Sequence, residues 1–134
     1  MKKIILLFCI VSSVLAQDKC KTSYMREMVN ETNSILPLRI DELTIAENMI
    51  CVNNKAIYNM TLIDSDEINW AYLNQNEILI AKNIKTKQIQ NNYCSRPDLK
   101  IFRDLGIVLR YDYSLQNGIF LFSITAKPTN CIDF

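Results

Sequence analysis

One dipeptide near the C-terminus constrains the fold more tightly than anything else in the chain. Asn117-Gly118 supplies two residues that tolerate positive φ, and it lies between two runs of alternating apolar and polar side chains, the signature of a tight β-hairpin. Ahead of it, Ile107, Leu109, Tyr111 and Tyr113 face one way, and Val108, Arg110 and Asp112 the other. Folding on the turn sets Tyr113 opposite Phe122, Tyr111 opposite Ile124 and Leu109 opposite Ala126. Asp112 then meets Ser123 and Arg110 meets Thr125 on the wet side. A slip of one residue would set apolar side chains against polar ones, so pattern and turn specify the same register.

A second hairpin is predicted from the runs 44–52 and 55–63 about Asn53-Asn54. It sets Met49 opposite Tyr58 and Ile45 opposite Leu62. Cys51, Met49 and Ile45 then share an apolar face with Tyr58, Met60 and Leu62, where Glu47 is the one polar intruder. Asn48, Asn59 and Thr61 fall on the wet face. Around these strands, Met25, Met28, Val29, Thr32 and Leu36 recur at helical spacing and predict a helix over 22–35, capped by Thr22 or Ser23 and ended by Pro37. A polar-to-aromatic connector spans 64–74, with Asp64 and Glu67 spaced as a capping box. A longer helix over 75–91 sets Ile78, Ile80, Ala81, Ile84 and Ile89 on one broad side. A short helix begins near Ser95 with Pro97 in its first turn, carries Leu99, Phe102 and Leu105 inward, and stops before Gly106.

Each hairpin has one greasy face and neither is stable alone, which calls for cover. The expected fold is α+β: an antiparallel sheet of two β-hairpins with helices packed on one face, in the order helix, hairpin, helix, short helix, hairpin.

The first sixteen residues read as a signal peptide. Lys2 and Lys3 precede the apolar run Ile4–Val11, and Val14-Leu15-Ala16 presents small residues for cleavage after Ala16. The apolar run is too short to span a bilayer, so residues 17–134 are expected to form a single exported domain without stable membrane insertion. Losing Lys2 and Lys3 lowers the formal net charge from +1 to about −1, which argues against a nucleic-acid partner.

Four cysteines remain after Cys9 leaves with the signal: Cys20, Cys51, Cys94 and Cys131. An even count in a small exported domain reads as two disulfides with three possible connectivities, and the long gaps fit no zinc motif. The layered arrangement favours one of them. A helix of about 21 Å followed by a returning strand of about 23 Å brings Cys20 and Cys51 to the same end of the layer. Cys94 then pairs with Cys131 by elimination.

Histidine is absent, which removes Ser-His-Asp and Cys-His catalysis and the commonest general base. With only Gly106 and Gly118, no glycine-rich phosphate loop is possible. No C-x-x-C occurs, so the cysteines read as staples. Asp64, Asp66 and Glu67 lack the glycine and distal Glu of an EF-hand. No metal, cofactor or catalytic residue is expected. Tyr111, Tyr113, Phe120 and Phe122 could form a stacking platform, but alternate positions of a paired hairpin are more often core. Lys82, Lys85 and Lys87 read as a solvated helix side, and Asn30 and Asn59 begin N-glycosylation sequons.

The segments "VNETNSILPLRIDELT" (Val29–Thr44), "YNMTL" (Tyr58–Leu62) and "YCSRPDLKIFRDLGIVLRYDYSLQNG", followed by Cys131, come in a recognisable order. They resemble a family of small exported bacterial proteins named after a quorum-sensing-regulated virulence factor of Pseudomonas. Cys94, Pro97, Leu99, Gly106, Tyr111, Tyr113 and Gly118 fall at that family's spacings, and Cys94–Cys131 matches its cysteine pair; Cys20 and Cys51 are a departure from it. The resemblance implies a compact α+β protein of the periplasm or exterior and carries no active site with it.

These readings converge on a non-enzymatic, disulfide-stapled module that binds an unknown protein or envelope component and is virulence-associated by resemblance. Trp70 and Tyr72 in the connector are the expected surface contacts. A small carboxylate-dependent hydrolase is the alternative, and an inhibitor or chaperone-like partner of another exported protein the third.

Overall fold

The computed structural model of the chain describes residues 17–131. The predicted signal peptide, 1–16, lies outside the described residues. Helix α1 (Ser23–Ile35) leads through a cis Leu36–Pro37 bond to strand β1 (Leu38–Asp41), followed by β2 (Thr44–Val52) and β3 (Lys55–Leu62). Helix α2 (Gln75–Ser95), helix α3 (Lys100–Leu105) and strands β4 (Val108–Leu115) and β5 (Phe120–Ala126) complete the fold. The five strands form one sheet in the order β1-β2-β3-β4-β5.

The expected α+β class and order are present, with a refinement of the sheet. Each hairpin is antiparallel, yet they meet through a parallel β3–β4 pairing. The reason is the connection: a crossover carrying α2 and α3 returns the chain to the end from which β3 started, and a strand that follows such a crossover runs parallel. β1 was not expected. Its four residues are too few for a period, and Arg39 ties them down by donating to the carbonyls of Asp41 and Glu42.

The second hairpin has the predicted register from Leu109↔Ala126 to Tyr113↔Phe122. It reaches it differently. The loop is Gln116-Asn117-Gly118, one residue longer than a two-residue turn, closed by Gly118 N–H donating to Leu115 O at 2.9 Å with Gly118 at φ 86°. The surplus is absorbed in β5, where Ser114 pairs Phe120 and leaves Leu121 as a bulge. In the first hairpin Met49 faces Tyr58 as predicted, but Ile45 faces Thr61 rather than Leu62. Glu47 is the cause. It bulges between the Ala46–Met60 and Asn48–Asn59 pairs, so the inward set becomes Thr44, Ala46 and Met49. The polar intruder is expelled from the apolar face, and Ile45 moves off it.

The helices cover one face. Met25 of α1, Tyr93 of α2 and Phe102 of α3 pack with Met49, Ala56, Leu109 and Ala126 at one end of the sheet. Met60, Leu62, Trp70, Tyr113, Phe122 and Ile124 fill the other, with Tyr58, Ile89 and Tyr111 touching both groups. Cys20–Cys51 fastens the start of α1 to the end of β2, and Cys94–Cys131 fastens the end of α2 to the segment after β5, both with Cα atoms 5.3 Å apart. This is the predicted pairing. Among the described residues no helix is long and apolar enough to cross a membrane.

Candidate functional site

The helical layer leaves a cleft of about 240 Å³ between α2 and the β1–β2 end of the sheet. Its floor is Thr44, Met60, Tyr111 and Tyr113; Lys85, Gln88 and Asn92 project from α2 and Arg96 from the residue that ends it, while Ile40 and Asp41 close the far side. Positions 85, 88/89 and 92 recur every three or four residues, so one face of α2 supplies that wall. Asn74 and Glu77 hold the first turn of that helix in a capping box. This replaces the box expected at Asp64: Asp64 instead accepts the Trp70 backbone N–H at 2.9 Å.

The floor is aromatic and rich in hydroxyls. Tyr58 and Tyr111 stack across β3 and β4 with centroids 5.3 Å apart and planes 11° from parallel. Burial pushes the Tyr113 hydroxyl up to about 12, with the Asp41 carboxylate adding to it. Burial first, and then the neighbouring Tyr58 and Tyr113, raise Tyr111 as well. These hydroxyls are therefore neutral hydrogen-bonding groups at physiological pH. Thr44 is fully buried, and its Oγ1 has no hydrogen-bond partner among the described residues. A buried hydroxyl left unpaired costs about 1–3 kcal/mol, so its position at a cleft wall is informative.

Lys85 stands 5.4 Å from the Tyr113 ring centroid. Its neighbours on α2 differ from the sequence expectation. Ile80 and Ile84, expected on the inner side with Ile78, Ala81 and Ile89, are 60% and 55% exposed. The buried ridge runs Ile78, Ala81, Ile89, Tyr93, and Lys85 falls on it. A lysine seven residues after Ile78 and four before Ile89 was the available signal for the cleft, hidden because Lys82, Lys85 and Lys87 read as one solvated group.

Trp70 and Tyr72, expected together as surface contacts, separate. Trp70 is 4% exposed and its Nε1–H donates to Ile63 O at 3.1 Å, so it is a core residue. A one-turn 3-10 helix (Trp70–Tyr72) points the two rings apart, and Tyr72 is 85% exposed. Tyr113 and Phe122 are buried and tilted against each other at 5.0 Å, whereas Phe120 is exposed at the hairpin end.

The uncovered sheet face carries a different chemistry. Asp112 accepts from Arg110 Nε and Nη2 and from Ser123 Oγ at 2.6 Å. Burial pushes its carboxyl up, but the bonds from Arg110 and Ser123 outweigh that and hold it below the usual range. Such a paired carboxylate is a poor general acid. A depression of about 520 Å³ on this side is lined by Lys55, Arg110 and Lys127 with Val108, Thr125, Pro128 and Thr129. No orphaned buried group faces it among the described residues. Among those residues no cluster of three or more His, Cys, Asp or Glu side chains could hold a metal ion.

The fold and cleft define a class: a two-disulfide α+β module whose helices leave an aromatic-floored cleft beside α2. No family model matches the chain, and no curated protein shows significant sequence similarity to it. Solved structures share its architecture. A predicted secreted protein of Pseudomonas aeruginosa superposes with a TM-score of 0.64 at 13% identity, over 79% of this chain and 88% of its own. A pilotin of the Vibrio vulnificus type 2 secretion system gives 0.57 at 12% identity, over 81% and 88%. The type II secretion pilotin AspS of Vibrio cholerae gives 0.53 at 13%, over 78% and 86%. These likenesses show a shared fold. The resemblance to the quorum-sensing-regulated family remains one of motifs.

Proposed function

We propose that residues 17–134 form an exported, non-enzymatic module of the periplasm or exterior that holds a protein or envelope partner through the cleft beside α2. The observation that carries this reading is the cleft itself, with its tyrosine floor, the buried unpartnered hydroxyl of Thr44 and the exposed Ile80 and Ile84 on the helix that walls it. Two disulfides support an oxidising compartment, since such bonds persist mainly outside the reducing cytosol. Two of the solved structures sharing the fold belong to secretion systems and a third is a predicted secreted protein. The signal peptide 1–16 and cleavage after Ala16 are part of the proposal, as is a virulence association through the motif resemblance. Tyr72 is a second contact point, at the N-terminal side of α2.

Photo-crosslinking in the native host tests it. A benzophenone side chain at Ile84 or Tyr72 is expected to trap one dominant adduct, whereas the same probe at Thr125, exposed on the opposite sheet face, is not. Equal trapping from Thr125, or none from either of the other positions, would overturn the assignment of the cleft.

A further inference from the structure

The cleft also carries a preference for charge. α2 holds three lysines, Lys82, Lys85 and Lys87, and a single acid, Glu77, which is committed to the capping box. None of the lysines joins an ion pair among the described residues; the pairs there are Arg96–Asp98, Lys100–Asp104 and Arg110–Asp112. Arg96 is therefore already neutralised at the cleft wall. Asp41, on the far side, spends one carboxylate oxygen on the Leu43 N–H at 2.8 Å. Asp41 keeps its charge at the exposed far rim, and Lys85 is the cleft's uncommitted cation, half-buried over the Tyr113 ring. Thr44, Tyr111 and Tyr113 line the cleft with it, while Ile40 and Met60 supply apolar surface. Ile84 lies one helical turn from Gln88 at the rim.

We propose that the cleft is a receptor for an acidic–aliphatic peptide segment of the partner, its carboxylate meeting Lys85 and its neighbouring aliphatic side chain resting on the tyrosine floor. This rests on the partner-binding reading and names the chemistry of that partner. A cavity of about 240 Å³ lies below the 300–1,000 Å³ of drug-sized pockets, which suits one or two side chains of a peptide better than a cofactor. A half-buried cation without an ion-pair partner gains most from a charge-assisted hydrogen bond. An aliphatic neighbour on the ligand excludes water from that bond.

The test uses acetyl-Leu-Glu-Leu-amide, its Leu-Gln-Leu counterpart, and vesicles of equimolar phosphatidylglycerol and phosphatidylcholine, each titrated into the oxidised protein with Tyr ring resonances as readout. The Glu peptide should shift Tyr111 and Tyr113 saturably and bind about tenfold more tightly than the Gln peptide, the size of one charge-assisted contact. Lys85→Gln should abolish that preference and Lys87→Gln should retain it, with both variants keeping wild-type urea midpoints. Equal binding of the two peptides, a preference that survives Lys85→Gln, silence toward both peptides, or a response to vesicles alone each overturns the proposal. Crosslinking from Ile84 that succeeds beside such a result leaves the partner-binding reading standing and removes only the acidic-segment chemistry.

Discussion

Trp70 and Tyr72 stand two residues apart and bear opposite consequences. Trp70 packs with Met60, Leu62 and Phe122 and satisfies its indole N–H on Ile63 O. Trp70→Ala removes that packing and should cost about 3–5 kcal/mol of stability by urea denaturation. Tyr72→Ala, at an exposed position, should stay within about 0.5 kcal/mol. Tyr93 makes a different kind of contribution. Its ring is buried and its hydroxyl donates to Ile107 O at 2.7 Å, tying α2 to the start of β4. Burial, opposed in part by the Arg103 guanidinium, raises its pKa from 10.0 to about 12. A folded-state pKa above the unfolded one means that the folded protein keeps the proton while the unfolded chain loses it. The Tyr93 contribution is therefore intact below pH 10 and is lost as pH climbs from 10 toward 12. Urea midpoints over that window should fall more steeply in the wild type than in Tyr93→Phe, by up to about one proton of slope. Coincident slopes would mean that the hydroxyl is not held as the geometry has it.

The two bulges decide how strands and helices fit together. Glu47 is the surplus residue in β2, and without it Ala46 and Asn48 would alternate inward and outward in unbroken register with Met60 and Asn59. Deleting Glu47 should therefore preserve the fold and change the urea midpoint little. Deleting Ala46 should destabilise strongly, because Glu47 then takes the buried place opposite Met60 and carries a carboxylate into the apolar face. The reverse ranking would show that the bulge itself, and not the alternation, holds the strand. In β5, Leu121 has the same role for the longer loop around Gly118. The helices carry a comparable subtlety. α2 is apolar on more than one side, with Leu79, Ile80 and Ile84 exposed, so its sequence leaves its rotation open. Packing against β5 selects the ridge that includes Lys85.

Across the molecule, the two staples clamp opposite halves of the helical layer onto one sheet. Closing loops of separation 31 and 37 should each stabilise by about 4 kcal/mol on the chain-entropy account. The double variant Cys94→Ala/Cys131→Ala should lower the unfolding free energy by about that amount while the sheet persists, as read by urea denaturation and circular dichroism. A loss of all secondary structure would show that the core of Met25, Tyr93 and Phe102 cannot stand without the clamp. The same bonds frame the cleft, since Cys94 ends the helix whose wall faces Thr44 and Tyr113.

Much of this was legible one residue at a time. Alternation and Asn-Gly chemistry dictated the hairpins, helical spacing the helices, and cysteine parity with element lengths the staples, because each is a local or pairwise constraint written in neighbouring residues. The cleft was not legible. Thr44, Met60, Lys85 and Tyr111 come from four separate elements and meet only through the crossover that makes β3 and β4 parallel and through the bulge that turns Thr44 inward. Tyr72 remained at the surface and Trp70 did not, since a single 3-10 turn rotates them apart. Local chemistry determines which elements form. Which side chains share a cavity follows from how those elements stack, a cooperative choice made by the whole apolar surface at once.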